Sequence, residues 1–158
     1  MEKTSHNNAE QNSQENQVII MDIYADIILD HYKNPHNYGM LSKHNAEHKE
    51  TNPLCGDIVT IQLAVENNKV KDIRFTGNGC AISKASISLL TDEVKGKTLD
   101  EIKRLDKNDV LNMLGIEVSP ARLKCALLGL KTLKLAVYNY IIKQGNHAKE
   151  KDFHVKDA

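Results

Sequence analysis

The chain has 158 residues, 41% of them hydrophobic and 27% charged, and its formal net charge is zero at pH 7. That length fits one domain with tails, and the even spread of charge, with no Trp and only two Phe, gives little footing for nucleic acid or an anionic membrane surface. No apolar signal core opens the chain and no apolar run looks long enough to span a bilayer, so a soluble cytoplasmic protein is expected.

Residues 1–18 are mostly Asn, Gln, Glu and Ser, a composition expected to form a disordered tail. The folded domain is expected over residues 19–144, with a charged tail over 145–158. Ile20, Ile23, Tyr24, Ile27 and Ile28 mark one helical face, and Asn34 before Pro35 stops that helix. His31 and His36 flank its end and read as surface histidines, with metal ligation the rarer alternative. Residues 41–51 are polar and fit a short edge strand. Val59, Ile61, Leu63 and Val65 alternate with Thr60, Gln62 and Ala64, as in a strand with one buried face. Asn67 and Asn68 suit a two-residue hairpin turn, and the returning strand over 69–76 leads to Cys80. This hairpin puts Cys55 and Cys80 at the same end of a sheet. A helix over 81–94 follows, then a short helix capped by Thr98 and another ending at Gly115. Ser119 and Pro120 open a last helix expected to reach about Lys143, with Leu123, Leu127, Leu130, Leu133, Val137 and Ile141 inward.

Three cysteines, odd in number and far apart, argue against a disulfide framework and for metal binding or thiol chemistry. Cys80 sits where strand turns into helix, and the free N–H groups of a helix start favour negative charge and lower a thiol pKa. Cys125 falls in the second turn of the last helix, and Cys55 in a loop bounded by Pro53 and Gly56. All three are therefore expected where a thiolate is favoured. Each has a plainer reading taken singly: Cys80 as a small residue in a Gly-rich turn, Cys125 as part of an apolar face, Asp57 as a turn cap. Together, three thiolates and the Asp57 carboxylate make a tetrahedral set for zinc or iron. Without a Cys-x-x-Cys pair the pattern is not that of a zinc finger. Donors from a loop, a strand end and a helix point instead to a site assembled by the whole fold.

Asp30, His31 and Tyr32 with Asn34, Pro35, Asn37 and Gly39 resemble the N-terminal signature of the NifU/IscU/SufU iron–sulfur assembly family. The segments 52–57, 77–86 and 122–126, holding Cys55, Cys80 and Cys125, resemble its three cysteine motifs in order. The resemblance covers residues 24–140. It implies an α+β fold, a small antiparallel sheet of about three strands covered by helices, with the metal site at one end. It also implies a scaffold in cluster biogenesis that takes sulfur from a cysteine desulfurase, holds a transient two-iron cluster and passes it to recipient apo-proteins. Lys124 stands before the third cysteine where the IscU branch has histidine, and residues 118–122 replace that branch's Hsp70-chaperone segment. Lys124 and the run after Cys80 look like the SufU branch, yet the stretch from Cys80 to Cys125 is too short for that branch's insertion.

In a scaffold, the harder Asp57 ligand would labilise one corner of the site, which suits transfer. A protonated Lys124 is a poor ligand; lowering a thiolate pKa or meeting an acidic partner surface are its expected roles. Cys55, in the least packed loop, is expected to take the sulfur first. Two other readings stand beside the scaffold: a zinc-bound sulfurtransferase partner of the desulfurase, and a zinc-stabilised binding protein without sulfur chemistry.

Overall fold

The computed structural model describes residues 5–156. In chain order these form α1 (Ser5–Lys33), β1 (Ala46–Asn52), β2 (Asp57–Glu66), β3 (Lys69–Asn78), α2 (Ala81–Val94), α3 (Leu99–Arg104), α4 (Lys107–Leu114) and α5 (Pro120–Lys156). The strands make an antiparallel sheet in the order β1-β2-β3, so the α+β expectation holds.

The alternation in β2 decides the layering. Val59, Ile61, Leu63 and Val65 are buried, and Ile61 pairs with His48 on one side and Phe75 on the other. Over this face lie α2 and α5, joined by the buried Ile87, Leu90, Leu133, Ala136 and Val137. Asn67 and Asn68 take positive φ values of 52° and 61° in the β2–β3 turn, the conformation such a tight hairpin needs. Gly77, opposite Val59, allows the strands to close at the site end: a Cβ there would lie 2.0 Å from the Ile58 carbonyl oxygen. At Gly129 a Cβ would lie 2.5 Å from Ile87 Cγ1, so this residue sets the approach of α5 to α2. Thr98 with Glu101, and Asp106 with Asp109, form reciprocal caps that start α3 and α4.

Both ends of the domain differ from the expectation. Helix α1 begins at Ser5, within the stretch expected to be a disordered tail. No Gly or Pro interrupts residues 5–33, and Glu and Gln are good helix formers, so a helix anchored at its far end extends back through them. Its expected inner face is largely open: Ile20, Ile23 and Ile27 are exposed, and Ile28 is buried. Helix α5 passes Gln144 and Gly145 and continues to Lys156. One glycine in a helix interior costs about 1 kcal/mol, too little to stop a run rich in Lys and free of Pro. By length and composition residues 120–146 are also apolar enough to cross a membrane, contrary to the sequence expectation, but half of that window is buried inside the protein. Covering the sheet accounts for that apolar character.

The turn after α1 is locked to the rest of the fold. His31 is buried, not on the surface as expected, and its Nδ1 lies 2.6 Å from Ser88 Oγ on α2. Ser88 Oγ also accepts from the His36 backbone N–H at 2.7 Å. Asn37 has φ 56° and donates through Nδ2 to Thr91 Oγ1 and Asp92 Oδ1. Its carbonyl accepts from Phe75 N–H, and Gly39 N–H donates back to the Phe75 carbonyl, which pairs this turn with the outer edge of β3. Burial pushes the His31 imidazole pKa down, assisted by neighbouring His36 and opposed by Asp92 and Asp30.

Candidate metal centre

At one end of the sheet the β1–β2 turn, the end of β3 and the start of α5 meet. Asn52 makes the turn: its carbonyl accepts from Gly56 N–H at 2.8 Å, and its side-chain oxygen accepts from Leu54 N–H. Gly56 takes φ 73°, and Cys55 is left exposed at the tip. Asp57 is the first residue of β2 and is buried. Its neighbour Ile58 pairs with Asn78 at the end of β3, two residues before Cys80. Cys80 N-caps α2 with φ −71° and ψ 172°, its sulfur accepting from Ser83 N–H at 3.5 Å. Ser86 Oγ donates to the Ala126 carbonyl at 2.7 Å and ties the first turns of α5 beside α2. Cys125 thereby reaches Cys55, with their sulfurs 3.5 Å apart.

The donor atoms of Cys55, Asp57 and Cys125 all lie within 4.8 Å of one another. Cys80 stands outside that trio but lines the same open cavity of about 600 Å³, together with Asn78, Gly79, Ala121 and Arg122. Gly79 keeps the wall thin, since a Cβ there would lie 3.3 Å from Asp57 Cγ. Asp57 Oδ2 is buried with no hydrogen-bond partner among the described residues. A buried carboxylate oxygen in that condition is unfavourable unless a cation meets it. Two thiols and one unpaired carboxylate oxygen fit a borderline or soft metal such as zinc or iron.

Burial pushes the Cys125 thiol up to about 12, with further upward pushes from its hydrogen bond to Cys55 and from the negative charges of Cys80, Asp57 and Cys55. Without a metal, burial therefore opposes the thiolate expected at Cys125. Its position near a helix start does not offset desolvation in a cluster of acidic groups. A bound metal reverses that balance, because a coordinating thiol is deprotonated outright.

Lys124 is exposed and lines a neighbouring apolar groove with Pro53, Leu54, Leu127 and Lys131, not the cysteine cavity. The cation at the cavity is Arg122, which sequence reasoning missed. Helical spacing held the signal: residues three apart share a face, whereas adjacent residues point about 100° apart.

An antiparallel sheet with three cysteines and an aspartate near one end makes this an α+β protein with a candidate thiolate metal centre. The chain belongs to the family described as the NifU-like N terminal domain, which it matches over residues 23–147. It is 39% identical over 124 residues to the iron–sulfur cluster assembly scaffold protein IscU of Aquifex aeolicus, covering 77% of this chain and 78% of the relative. The zinc-dependent sulfurtransferase SufU of Bacillus subtilis is 33% identical over 132 residues, covering 73% of this chain and 89% of the relative. Among solved structures, a putative iron–sulfur cluster assembly scaffold protein for the SUF system from Fervidobacterium islandicum superposes with a TM-score of 0.59 at 30% identity, covering 70% of this chain and 93% of that one.

Proposed function

We propose that this protein is a scaffold on which an iron–sulfur cluster is assembled, with sulfur delivered by a cysteine desulfurase and the cluster passed to recipient apo-proteins. The observation that carries the reading is the buried Asp57 carboxylate, which has an oxygen within 4.8 Å of the Cys55 and Cys125 sulfurs and whose Oδ2 has no hydrogen-bond partner among the described residues, at an open cavity. Cys55, Asp57, Cys80 and Cys125 are the proposed ligands of the iron or zinc ion and of the nascent cluster, which is the cargo and not a resident cofactor. Cys80, held as the α2 cap, joins when its sulfur swings from Ser83 N–H into the cavity.

Cys55 is the proposed first sulfur acceptor. Cys55 is an exposed residue, while Cys125 is buried and reluctant to ionise. The Cys55 thiolate attacks the outer sulfur of the desulfurase persulfide; a new S–S bond forms on Cys55, and the desulfurase cysteine leaves as its thiolate. Arg122 supplies positive charge at the cavity. Lys124, beside Leu54 and Lys131 in the adjoining groove, is placed to meet an acidic partner surface.

A second reading, a zinc-bound sulfurtransferase partner of the desulfurase, is favoured by Lys124 at the position before Cys125 and by the likeness to the Bacillus subtilis protein. Desulfurase turnover with and without this protein, followed by anaerobic reconstitution with ferrous iron, separates the readings. A scaffold develops visible cluster absorbance, which Ser at Cys55, Cys80 or Cys125 abolishes. Acceleration of turnover without a cluster selects the sulfurtransferase, and neither effect leaves a zinc-stabilised binding protein. Alkylation trapping and mass spectrometry after one turnover locate the sulfur; finding it on Cys125 in both the wild type and Cys55→Ser overturns the acceptor assignment.

A further inference from the structure

Beyond the cysteine cavity, the locked turn after α1 gathers a second set of metal-binding side chains. The donor atoms of His31, His36 and Asp92 all lie within 4.8 Å of one another. Cys80 caps the start of α2, and Asp92 lies about 18 Å further along that helix at 1.5 Å per residue, so the two clusters do not share donors. The His31 and His36 rings stand 4.3 Å apart between centroids, tilted by 47°. Asp92 Oδ2 faces His36 Nδ1, and its Oδ1 is held by Asn37 Nδ2 at 2.9 Å.

We propose that His31, His36 and Asp92 form a second cation site, one that takes a single borderline divalent transition metal ion such as zinc, cobalt or nickel. Three features of the cluster carry this. The donors are two imidazoles and one carboxylate, a set that suits such ions and not magnesium or calcium. Their outer contacts are those that orient metal-binding side chains: Ser88 Oγ meets the His31 ring at Nδ1, and Asn37 holds Asp92 by Oδ1. The required adjustment is also small. Donors around a tetrahedral zinc lie about 3.3 Å apart, given zinc–nitrogen bonds of about 2.0 Å, so donors now within 4.8 Å of one another need close by about 1.5 Å at most, while the shorter His36–Asp92 contact opens to admit the ion. His31 is fixed by burial, whereas His36 and Asp92 are roughly half-exposed and free to rotate onto an ion. The remaining coordination positions face solvent and take water. Because one ligand closes α1, one follows it in the turn and one lies on α2, an ion here staples that turn to α2.

The test is equilibrium dialysis of the full-length protein against zinc chloride, with zinc per chain read by elemental analysis, alongside melting curves at each zinc concentration. The wild type is expected to saturate at two zinc ions per chain, the His36→Gln and Asp92→Asn variants at one. Adding zinc beyond the first equivalent should raise the melting temperature of the wild type and leave that of both variants unmoved. Both changed residues are on the surface, and circular dichroism confirms that the variants are folded. Saturation of the wild type at one ion overturns the proposal. So does retention of the second ion in both variants, which places it elsewhere, or magnesium filling the site as well as zinc, which removes the imidazole assignment.

Discussion

Among single residues, Asp57 carries the most weight, because its carboxylate lies beside two thiols and one of its oxygens is buried with no hydrogen-bond partner among the described residues. As the proposed ligand it would be the hardest donor of the set and the one expected to exchange most readily. Replacing it in Asp57→Ala is expected to lengthen the lifetime of an assembled cluster and slow its transfer severalfold. Visible absorbance over time and transfer to an apo-ferredoxin measure the two, and a shorter lifetime would assign Asp57 a purely structural role. The four candidate donors stand at junctions marked in the sequence: a Pro- and Gly-bounded turn, a strand start, a strand–helix joint and a helix start. The structure brings Cys55, Asp57 and Cys125 within 4.8 Å of one another and leaves Cys80 at the wall of the same cavity. The depth of each thiol was not legible. Cys55 and Cys125 have equally special local settings, yet one is exposed and the other buried, and that difference is set by how α5 lies against the sheet. Arg122 was within reach of helical spacing and was passed over for its neighbour Lys124.

The elements themselves were largely readable, since periods of two and of 3.6 residues alternate cleanly along the chain. The ends of α1 and α5 were not, because polar composition separates an exposed helix from a disordered tail poorly. His31 was also misjudged: nothing in its local pattern announces that Ser88 on a distant helix will cover it. That contact makes the joint between α1 and α2 sensitive to acid. The folded His31 pKa lies below its ordinary 6.5, so the unfolded chain takes up the proton more readily. The contribution of the neutral ring to stability is therefore complete above pH 6.5 and is lost as pH falls from there through the folded value. In chelator, the melting temperature of the wild type should drop between about pH 7 and pH 5 by more than that of His31→Gln, whose side chain does not titrate. Equal drops would clear His31 of any part in acid lability.

Over the molecule as a whole, the cysteine cavity is a report on the complete fold, since Cys55 and Cys125 are brought to 3.5 Å from positions 70 residues apart. A metal bridging them restrains the β1–β2 turn against α5, and an ion held only by the folded chain adds directly to its stability. Stripping zinc with a chelator is expected to lower the melting temperature by several degrees, about 1 to 3 kcal/mol of stability at modest ligand excess. In Cys125→Ser most of that sensitivity to chelator should disappear. A variant as sensitive as the wild type would place the stabilising ion elsewhere.

The outer strand of the sheet has a consequence for how the protein behaves in a crowded solution. Among the described residues β1 pairs with β2 alone, so its other edge is an outer edge of the sheet. Such an edge is a template on which another chain can add a strand, and charged side chains are the usual deterrent. Here the strand reads Ala46, Glu47, His48, Lys49, Glu50, Thr51, Asn52, with Glu47 and Lys49 exposed. The polar character of this strand is of the kind that deters edge-to-edge pairing. Replacing both charges in Glu47→Val/Lys49→Val should produce concentration-dependent association in light scattering while the circular dichroism of the dilute protein stays unchanged. A variant that remained monomeric at every concentration would show that the edge is guarded by something other than charge.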